Sequence, residues 1–433
     1  MVVFAFLFFA INLTLDEAVK IAVENNLSVS SQRYSLKDVE YTAKAAWSYV
    51  LPRLVVDSSY RRQLELPEAQ IGMQKIKVGK PEQTQITLSL VQSLPIDGSS
   101  WYLKEAQKYS YDSQSYSFLA FKNEIIFRVV NLYITISKLL LSQNIAKENL
   151  ERMKKHYEVA QNLFSAGLIP EVDLTRIETS LYEAQLQLKN IEIQLHQNLQ
   201  NFLLILGKDD IDPIPSQSID ELIFIFDPFG FFDSITQEKI DIENSPDISS
   251  IKFRVLQLDR LSKAQRGQLF PQISFGFSLI NSFGSFIEQR NIPVLSVGAN
   301  LTFDFGGTYY NYLAVKQRKI SVEFQLEDLK RQKIKSLEMV IKEYELVKSR
   351  LELAQSRLAS AEKSLKSAEE LFRYGKLTSV DLMDYEFQYE NAKFDIISAK
   401  ADLLLLMWRT IYLTGQLEQF FISKNHVGKK SNS

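Results

Sequence analysis

Few of the 433 residues have the types and spacings that catalysis or metal binding requires. Cysteine is absent, which excludes disulfides, thiolate metal sites and thiol nucleophiles. His156 and His196 lie in helical patterns and His426 lies in a polar tail, which favours solvated histidines over metal ligands. The sequence has no G-x-S-x-G motif and no phosphate-binding loop. We therefore predict that the protein is not an enzyme and has no catalytic residue, cofactor or metal site.

The carboxylates with the clearest pattern follow a glycine in two related stretches. Gly167 is followed by Asp173, and Gly375 is followed by Asp381 and Asp384. Asp173 and Asp381 fall in the first turn of a predicted helix, where an acid complements the helix dipole and can complete a capping box. Capping is one interpretation of these acids, and it is the favoured one for Asp173.

The two stretches belong to an internal duplication. Leu163–Leu174 and Leu371–Leu382 share Leu, Phe, Gly, Val, Asp and Leu at matching places, 208 positions apart. A repeat of this period makes half of the chain the structural unit. We predict a first repeat over 13–207, a connector over 208–232, a second repeat over 233–416 and a polar tail over 417–433.

The N-terminal run from Val2 to Ile11 is apolar but too short to cross a bilayer as a helix. It resembles the hydrophobic region of a signal peptide, so we interpret residues 1–12 as a signal peptide or its remnant and favour export. A buried N-terminal strand is the alternative. The net charge of -2 offers no basic face to nucleic acid, which we exclude as a partner.

Each repeat is predicted to contain two strands after its first helical patterns. Ile273–Leu279 and Leu295–Phe305 alternate large apolar residues with Ser, Gly, Asn, Thr and Asp. A soluble sandwich would pack the apolar face on a second layer, whereas an outer-membrane barrel would turn it towards lipid. The side chains that distinguish these alternatives are Phe275, Phe277, Val297 and Leu301.

A helical pattern of unusual length follows each pair of strands. Residues 308–372 contain neither glycine nor proline, and their second half repeats apolar residues in steps of three and four, as coiled coils do. At about 1.5 Å per residue such a helix reaches on the order of 90–100 Å. The tip glycines end these helices, so each repeat should form a long antiparallel hairpin.

The four predicted strands cannot form a membrane sheet alone, because each unpaired backbone group in lipid costs several kcal/mol. Further copies of the chain must therefore close the barrel. A dimer would give eight strands and a trimer twelve, and a water-filled conduit requires the larger barrels.

Short motifs mark the boundaries of these elements: Leu15-Asp-Glu-Ala18 at the start, Pro52 and Pro271 before strands, Asp97-Gly98 and Gly306-Gly307 after strands, and the two Gly-x-x-x-x-x-Asp tips. In order and spacing, residues 13–416 resemble the TolC family of outer-membrane efflux channels. The resemblance implies an α+β membrane protein whose duplicated long α-hairpins form a helical barrel. It also implies that four strands per chain contribute to a trimeric, twelve-stranded transmembrane β-barrel.

The same resemblance implies a pore constriction formed by Asp381 and Asp384, with Asp173 at the matching place of the first repeat. Three chains would bring six carboxylates of the second repeat to one axis, which would favour cations. Phe372 and Leu377 differ from the tyrosine and arginine that the family uses near these acids, so the gating network should differ as well.

The helix tips correspond to the family's adaptor-docking surface, at Gly167, Leu168, Gly375 and Leu377. The alternative is that both glycines only terminate helices. The implied partners are a homotrimer, a periplasmic adaptor (membrane fusion protein), an inner-membrane pump and outer-membrane lipid. We therefore predict a passive outer-membrane and periplasmic exit duct for efflux or type I secretion. A soluble periplasmic coiled-coil adaptor or scaffold without a pore is the alternative.

Overall fold

The computed structural model describes residues 10–95, 98–208, 212–237, 242–284, 289–374 and 376–421. Residues 1–9 of the predicted signal peptide, Gly375 and most of the predicted tail lie outside these ranges. The described elements, in chain order, are β1 (Ala10–Leu13), α1 (Leu15–Asn25), α2 (Leu27–Ala45), a 3-10 turn (Ala46–Tyr49), β2 (Arg53–Arg62), β3 (Glu68–Ile71), β4 (Gln74–Lys77), β5 (Glu82–Pro95), α3 (Ser99–Ser165), α4 (Glu171–Leu206), β6 (Asp212–Pro215), α5 (Ile219–Phe226), α6 (Pro228–Gln237), α7 (Pro246–Gly267), β7 (Gln272–Phe283), β8 (Gln289–Asn300), α8 (Gly307–Arg373) and α9 (Ser379–Thr414).

The element boundaries repeat with the duplication. Helices α3 and α8 have 67 residues each and start at residues 99 and 307, which are 208 positions apart. Helices α4 and α9 have 36 residues each and start at residues 171 and 379, again 208 apart. The chain therefore contains an internal repeat of a strand pair, a long helix and a shorter return helix.

Two compact units each draw on both halves of the chain. The first takes residues up to 33, 118–247 and from 330 onward. The second takes residues 34–117 and 248–329. The units thus cut across the predicted repeats, and the boundaries assigned to those repeats remain a prediction.

The core of the first unit surrounds the middle of α3 and the end of α9. Tyr133, Phe202 and Trp408 are fully buried there. In α3 lies the one helical stretch of the described chain that is long and apolar enough to cross a membrane, but 56% of it is buried. Ile126, Val130 and neighbouring residues of α3 belong to this core, so packing accounts for their apolar character.

In α8 the predicted heptad positions are the ones that pack inward. Leu337, Val340, Tyr344, Leu351 and Ala354 are buried, whereas the residues between them are mostly exposed. This burial matches the 3.5-residue spacing of the sequence pattern.

The second unit contains an antiparallel sheet with the order β2-β5-β7-β8. Strand β8 is shorter than the predicted strand Leu295–Phe305, because it ends at Asn300. Asn300 pairs with Gln272, the first residue of β7, so β7 offers no partner to the residues beyond Asn300. The long loop between β2 and β5 contains a further hairpin, β3–β4, which the sequence pattern did not indicate.

Candidate functional site: an apolar sheet face and two helix tips

One face of the sheet carries rows of large apolar side chains in register. Leu54 pairs with Leu90, Leu90 with Phe277, and Phe277 with Leu295. These four side chains are 45–80% exposed. Soluble monomers seldom expose contiguous apolar patches of this extent, so this face must be covered by lipid or by another molecule.

The other face of the sheet is mostly polar. Ser89 and Ser278 lie side by side, with 2.8 Å between their Oγ atoms. Gln83 donates from Nε2 to Ser282 Oγ at 3.3 Å. Because alternate residues of a strand point to opposite faces, the predicted segregation of apolar and polar side chains is present in the folded sheet.

Both edges of the sheet are open. Within the described residues, β2 pairs only with β5 and β8 pairs only with β7. Each edge strand therefore presents a row of backbone N–H and C=O groups that water or another strand must satisfy.

Exposed aromatic residues surround the strand ends that adjoin the helices. Trp47 precedes β2, Trp101 follows β5, Phe270 precedes β7, and Phe303 follows β8, and each is at least 49% exposed. At the last junction Asp304 Oδ2 accepts hydrogen bonds of 2.7 Å from the backbone N–H and the hydroxyl of Thr308, and the hydroxyl contact lowers the pKa of Asp304. This carboxylate caps the start of α8.

The tip of the first repeat ends α3 in a Schellman turn. Gly167 has φ +73°, and the Leu168 N–H donates to Leu163 O at 2.9 Å. Leu168 is 71% exposed, and a Cβ on Gly167 would meet no atom within 4 Å. The glycine is thus required by its backbone conformation, while the space around it is open.

In this tip Asp173 does not form a capping box. The N-cap of α4 is Pro170, which offers no side-chain acceptor. Asp173 lies in the first turn, where its charge still complements the helix dipole. Capping of α4 by Asp173 is therefore electrostatic only.

The tip of the second repeat begins α9 with a complete capping box. Thr378 Oγ1 accepts from the Asp381 N–H at 3.2 Å, and Asp381 Oδ2 accepts from the Thr378 backbone N–H at 3.4 Å and from the Thr378 hydroxyl at 2.6 Å. The Lys376 N–H donates to Leu371 O at 2.9 Å, the same bond as in the first tip, shifted by 208 positions. Leu377 is half-buried, and Gly375 lies outside the described residues.

Asp384 lies one turn further along α9 and faces α4. It is 64% exposed, and its Oδ2 is 3.8 Å from Arg176 Nη2. Both residues line a groove of about 410 Å³ together with Met383, Phe387 and Glu183. The structure therefore separates the two acids of this tip: Asp381 is engaged in a cap, whereas Asp384 is exposed and forms only a long ion pair with Arg176.

The sequence profile of a family described as "Outer membrane efflux protein" matches residues 18–208 and 241–405. The chain belongs to the outer membrane efflux protein family. This membership confirms the predicted TolC-type relationship, and with it a channel family of the outer membrane rather than an enzyme family. No curated protein sequence matches the chain.

Solved structures of bacterial membrane proteins, among them an outer membrane channel, share the fold of this family member. A membrane protein from Pseudomonas aeruginosa is 17% identical, with a TM-score of 0.79 over 94% of this chain and 91% of that one. VceC from Vibrio cholerae is 13% identical, with a TM-score of 0.78 over 93% and 96%. CmeC from Campylobacter jejuni is 17% identical, with a TM-score of 0.79 over 93% and 85%. These likenesses confirm the predicted fold class.

One feature of this efflux protein was not predicted from the sequence: a ladder of charge pairs joins α3 to α9 near the second tip. Arg152 forms an ion pair with Glu390, and His156 Nε2 lies 3.0 Å from Glu386 Oε2. Both carboxylates are more than nine-tenths buried. The matching spacing of four residues on each helix was the signal that could have indicated the pairs.

Proposed function

We propose that the protein is a passive exit duct that crosses the outer membrane and extends into the periplasm. It would serve efflux or type I secretion as a homotrimer, with a periplasmic adaptor and an inner-membrane pump that supplies the energy. The observation that carries the proposal is the exposed apolar face of a sheet whose two edge strands, β2 and β8, each have only one partner among the described strands. Closure with further copies would satisfy the strand edges and turn the apolar face towards lipid.

The scaffold alternative requires the apolar residues of the sheet to pack in the protein's own core. Phe275 and Phe277 are each 45% exposed, Leu301 is 59% exposed and Val297 is 67% exposed. Their exposure supports the duct over the scaffold. Four strands per chain give twelve in a trimer, and a barrel of that size leaves room for water, which an eight-stranded dimer does not.

The first prediction compares the two faces of the sheet with adjacent substitutions. Phe277→Arg should cost about 2–4 kcal/mol per chain, because it places a charge against lipid. Ser278→Arg, on the polar face one residue away, should be tolerated. The measurement is the fraction of expressed protein recovered from outer membranes as a detergent-dependent oligomer. Equal recovery of both variants would argue against the assignment of the faces, and a wild-type soluble monomer without detergent would end the channel proposal.

The adaptor-docking proposal rests on the tips, where Leu168 is exposed beside the open space at Gly167. Leu168→Asp should abolish export, because it replaces the exposed apolar side chain that would contact the adaptor. The oligomer should stay intact, because Leu168 is not part of the core of the first unit. Leu168→Met, which keeps the contact apolar, is the matched control and should export normally. Export by a stable Leu168→Asp variant would sink the docking role.

The absence of cysteine from the sequence permits a direct test of the partner. A single Gly375→Cys substitution gives one thiol for crosslinking at the second tip. We expect a crosslinked product with a periplasmic adaptor in cells. The corresponding thiol at the polar position Ser278 should give no such product. In a separate variant, a bulky residue in place of Gly375 should abolish export while leaving the oligomer intact.

A further inference from the structure

The junction of β2, β5 and α3 holds a lysine between two exposed tryptophans. Lys104 Nζ lies 3.1 Å from the centroid of the Trp47 ring and 5.0 Å from that of the Trp101 ring. The tryptophans are 51% and 54% exposed, whereas Lys104 is half-buried. The indole rings thus shield part of the ammonium group from water and hold it by cation–π attraction.

Three basic residues of nearby helices in this unit have carboxylate partners. Lys263 and Lys319 both lie 3.0 Å from carboxylate oxygens of Asp259, and Arg260 lies 3.0 Å from Glu105. Within the described ranges no carboxylate pairs with Lys104. The Lys104 ammonium can therefore take an anion from outside the chain as its partner through a charge-assisted hydrogen bond.

The position of this cluster indicates where that anion comes from. Trp47 lies six residues before β2 begins at Arg53, and Trp101 lies six residues after β5 ends at Pro95. The apolar face includes Leu54, the second residue of β2, and its pairing partner Leu90, five residues before the end of β5. Exposed indoles bordering an apolar band are typical of the level of lipid headgroups, where phosphates and basic side chains meet.

We propose that Trp47, Trp101 and Lys104 form a binding site for the phosphate of an anionic phospholipid in the leaflet that borders the helical part of the protein. The proposal rests on the proposed membrane-inserted duct. The ammonium donates to the phosphate oxygens, and the two indoles lie among the glycerol and upper acyl groups. The site would fix the depth at which this junction sits in the bilayer.

The tryptophans themselves provide the measurement, because Trp408 is the only other tryptophan of the sequence and is fully buried in the first core. The protein is reconstituted into vesicles of phosphatidylcholine and phosphatidylglycerol in which one lipid at a time carries bromine, a fluorescence quencher. We expect brominated phosphatidylglycerol to be enriched at the tryptophans by about fivefold over its bulk fraction, the factor that one basic residue contributes near an anionic surface.

Lys104→Met should abolish this preference while leaving insertion unchanged, whereas Lys108→Met, one turn along α3, should keep it. Equal quenching by both lipids in an inserted wild-type protein would overturn the site but leave the duct standing. Failure of the protein to insert at all would overturn both. If Lys104→Met instead dissociated the oligomer with no change in lipid preference, Lys104 would contact a second copy of the chain and the lipid site would be rejected.

Discussion

Replacement of Gly415 by alanine is expected to cost about 2–5 kcal/mol of folding free energy, the sum of a left-handed backbone strain and an overpacked contact. Gly415 caps the end of α9 with φ +75°. A Cβ there would overlap Pro246 Cδ and lie 3.2 Å from Ser245 Cβ. The Pro246 ring is rigid and Ser245 is buried, so neither can move aside without a cost in free energy.

Hydrogen bonds around this helix end prevent it from moving away. The Asn123 side chain donates to Gly415 O at 2.9 Å and accepts from the Glu418 N–H at 2.9 Å. Lys333 Nζ donates to Leu413 O at 3.0 Å and to Asp247 Oδ1 at 2.7 Å. A shift large enough to accommodate a methyl group would break several of these bonds.

The duplication supplies a second instance and a matched control. Gly207 ends α4 with φ +66°, and its Cβ would lie 2.6 Å from Asn25 O, so Gly207→Ala should be similarly damaging. Gly167 has the same type of backbone, φ +73°, but nothing within 4 Å, so Gly167→Ala should cost only about 1–2 kcal/mol. Thermal unfolding of the three variants in detergent measures the difference. Equal losses at Gly415 and Gly167 would mean that close packing at Gly415 contributes nothing.

This contrast shows what the sequence could predict. A glycine at the end of a helical pattern predicts a left-handed cap, and Gly207 and Gly415 lie 208 positions apart in the sequence, as the tip glycines do. The close approach of Gly207 to Asn25 could not be predicted from the sequence, because the two residues are far apart in the chain. The same limit applies to the pairs Arg152–Glu390 and His156–Glu386, which join α3 to α9.

Local periodicity predicted the faces of the sheet but not the end of β8. Alternation continues to Phe305, yet pairing stops at Asn300, where β7 has no further residue to offer. Strand length is thus set by the neighbouring strand, which the sequence of a single segment cannot reveal.

In the predicted connector, helix α5 was also missed, although Ser218 and Glu221 form the capping box that marks its start.

The pore-constriction proposal gains a sharper form from the two different acids of the second tip. Neutralising Asp384 should weaken block of the channel by a multivalent cation more than neutralising Asp381. Asp384 is exposed, with one distant basic neighbour at 3.8 Å, whereas Asp381 Oδ2 already accepts a hydrogen bond from Thr378. Asp381→Asn should therefore act mainly on the start of α9, at a cost of roughly 0.5–2 kcal/mol as for other caps.

The size of the effect follows from elementary electrostatics. If three copies bring Asp384 within about 8 Å of a bound divalent ion, each charge contributes on the order of 1 kcal/mol in water, roughly halved by 0.1 M salt. Asp384→Asn in every chain should then weaken block by about tenfold, measured as the blocking concentration in planar bilayers. In the absence of the blocking cation, the variant should still conduct ions across the bilayer.

Arg176 provides a control of opposite sign on the same site. Its guanidinium faces Asp384 across the groove between α4 and α9, and 60% of the Arg176 side chain is exposed. Arg176→Gln removes a positive charge without touching a carboxylate, so block by the same cation should become stronger rather than weaker. An unchanged blocking concentration in both Asp384→Asn and Arg176→Gln would reject a role for this tip in the constriction. Opposite shifts would be difficult to attribute to general destabilisation, because both substitutions break the same weak ion pair.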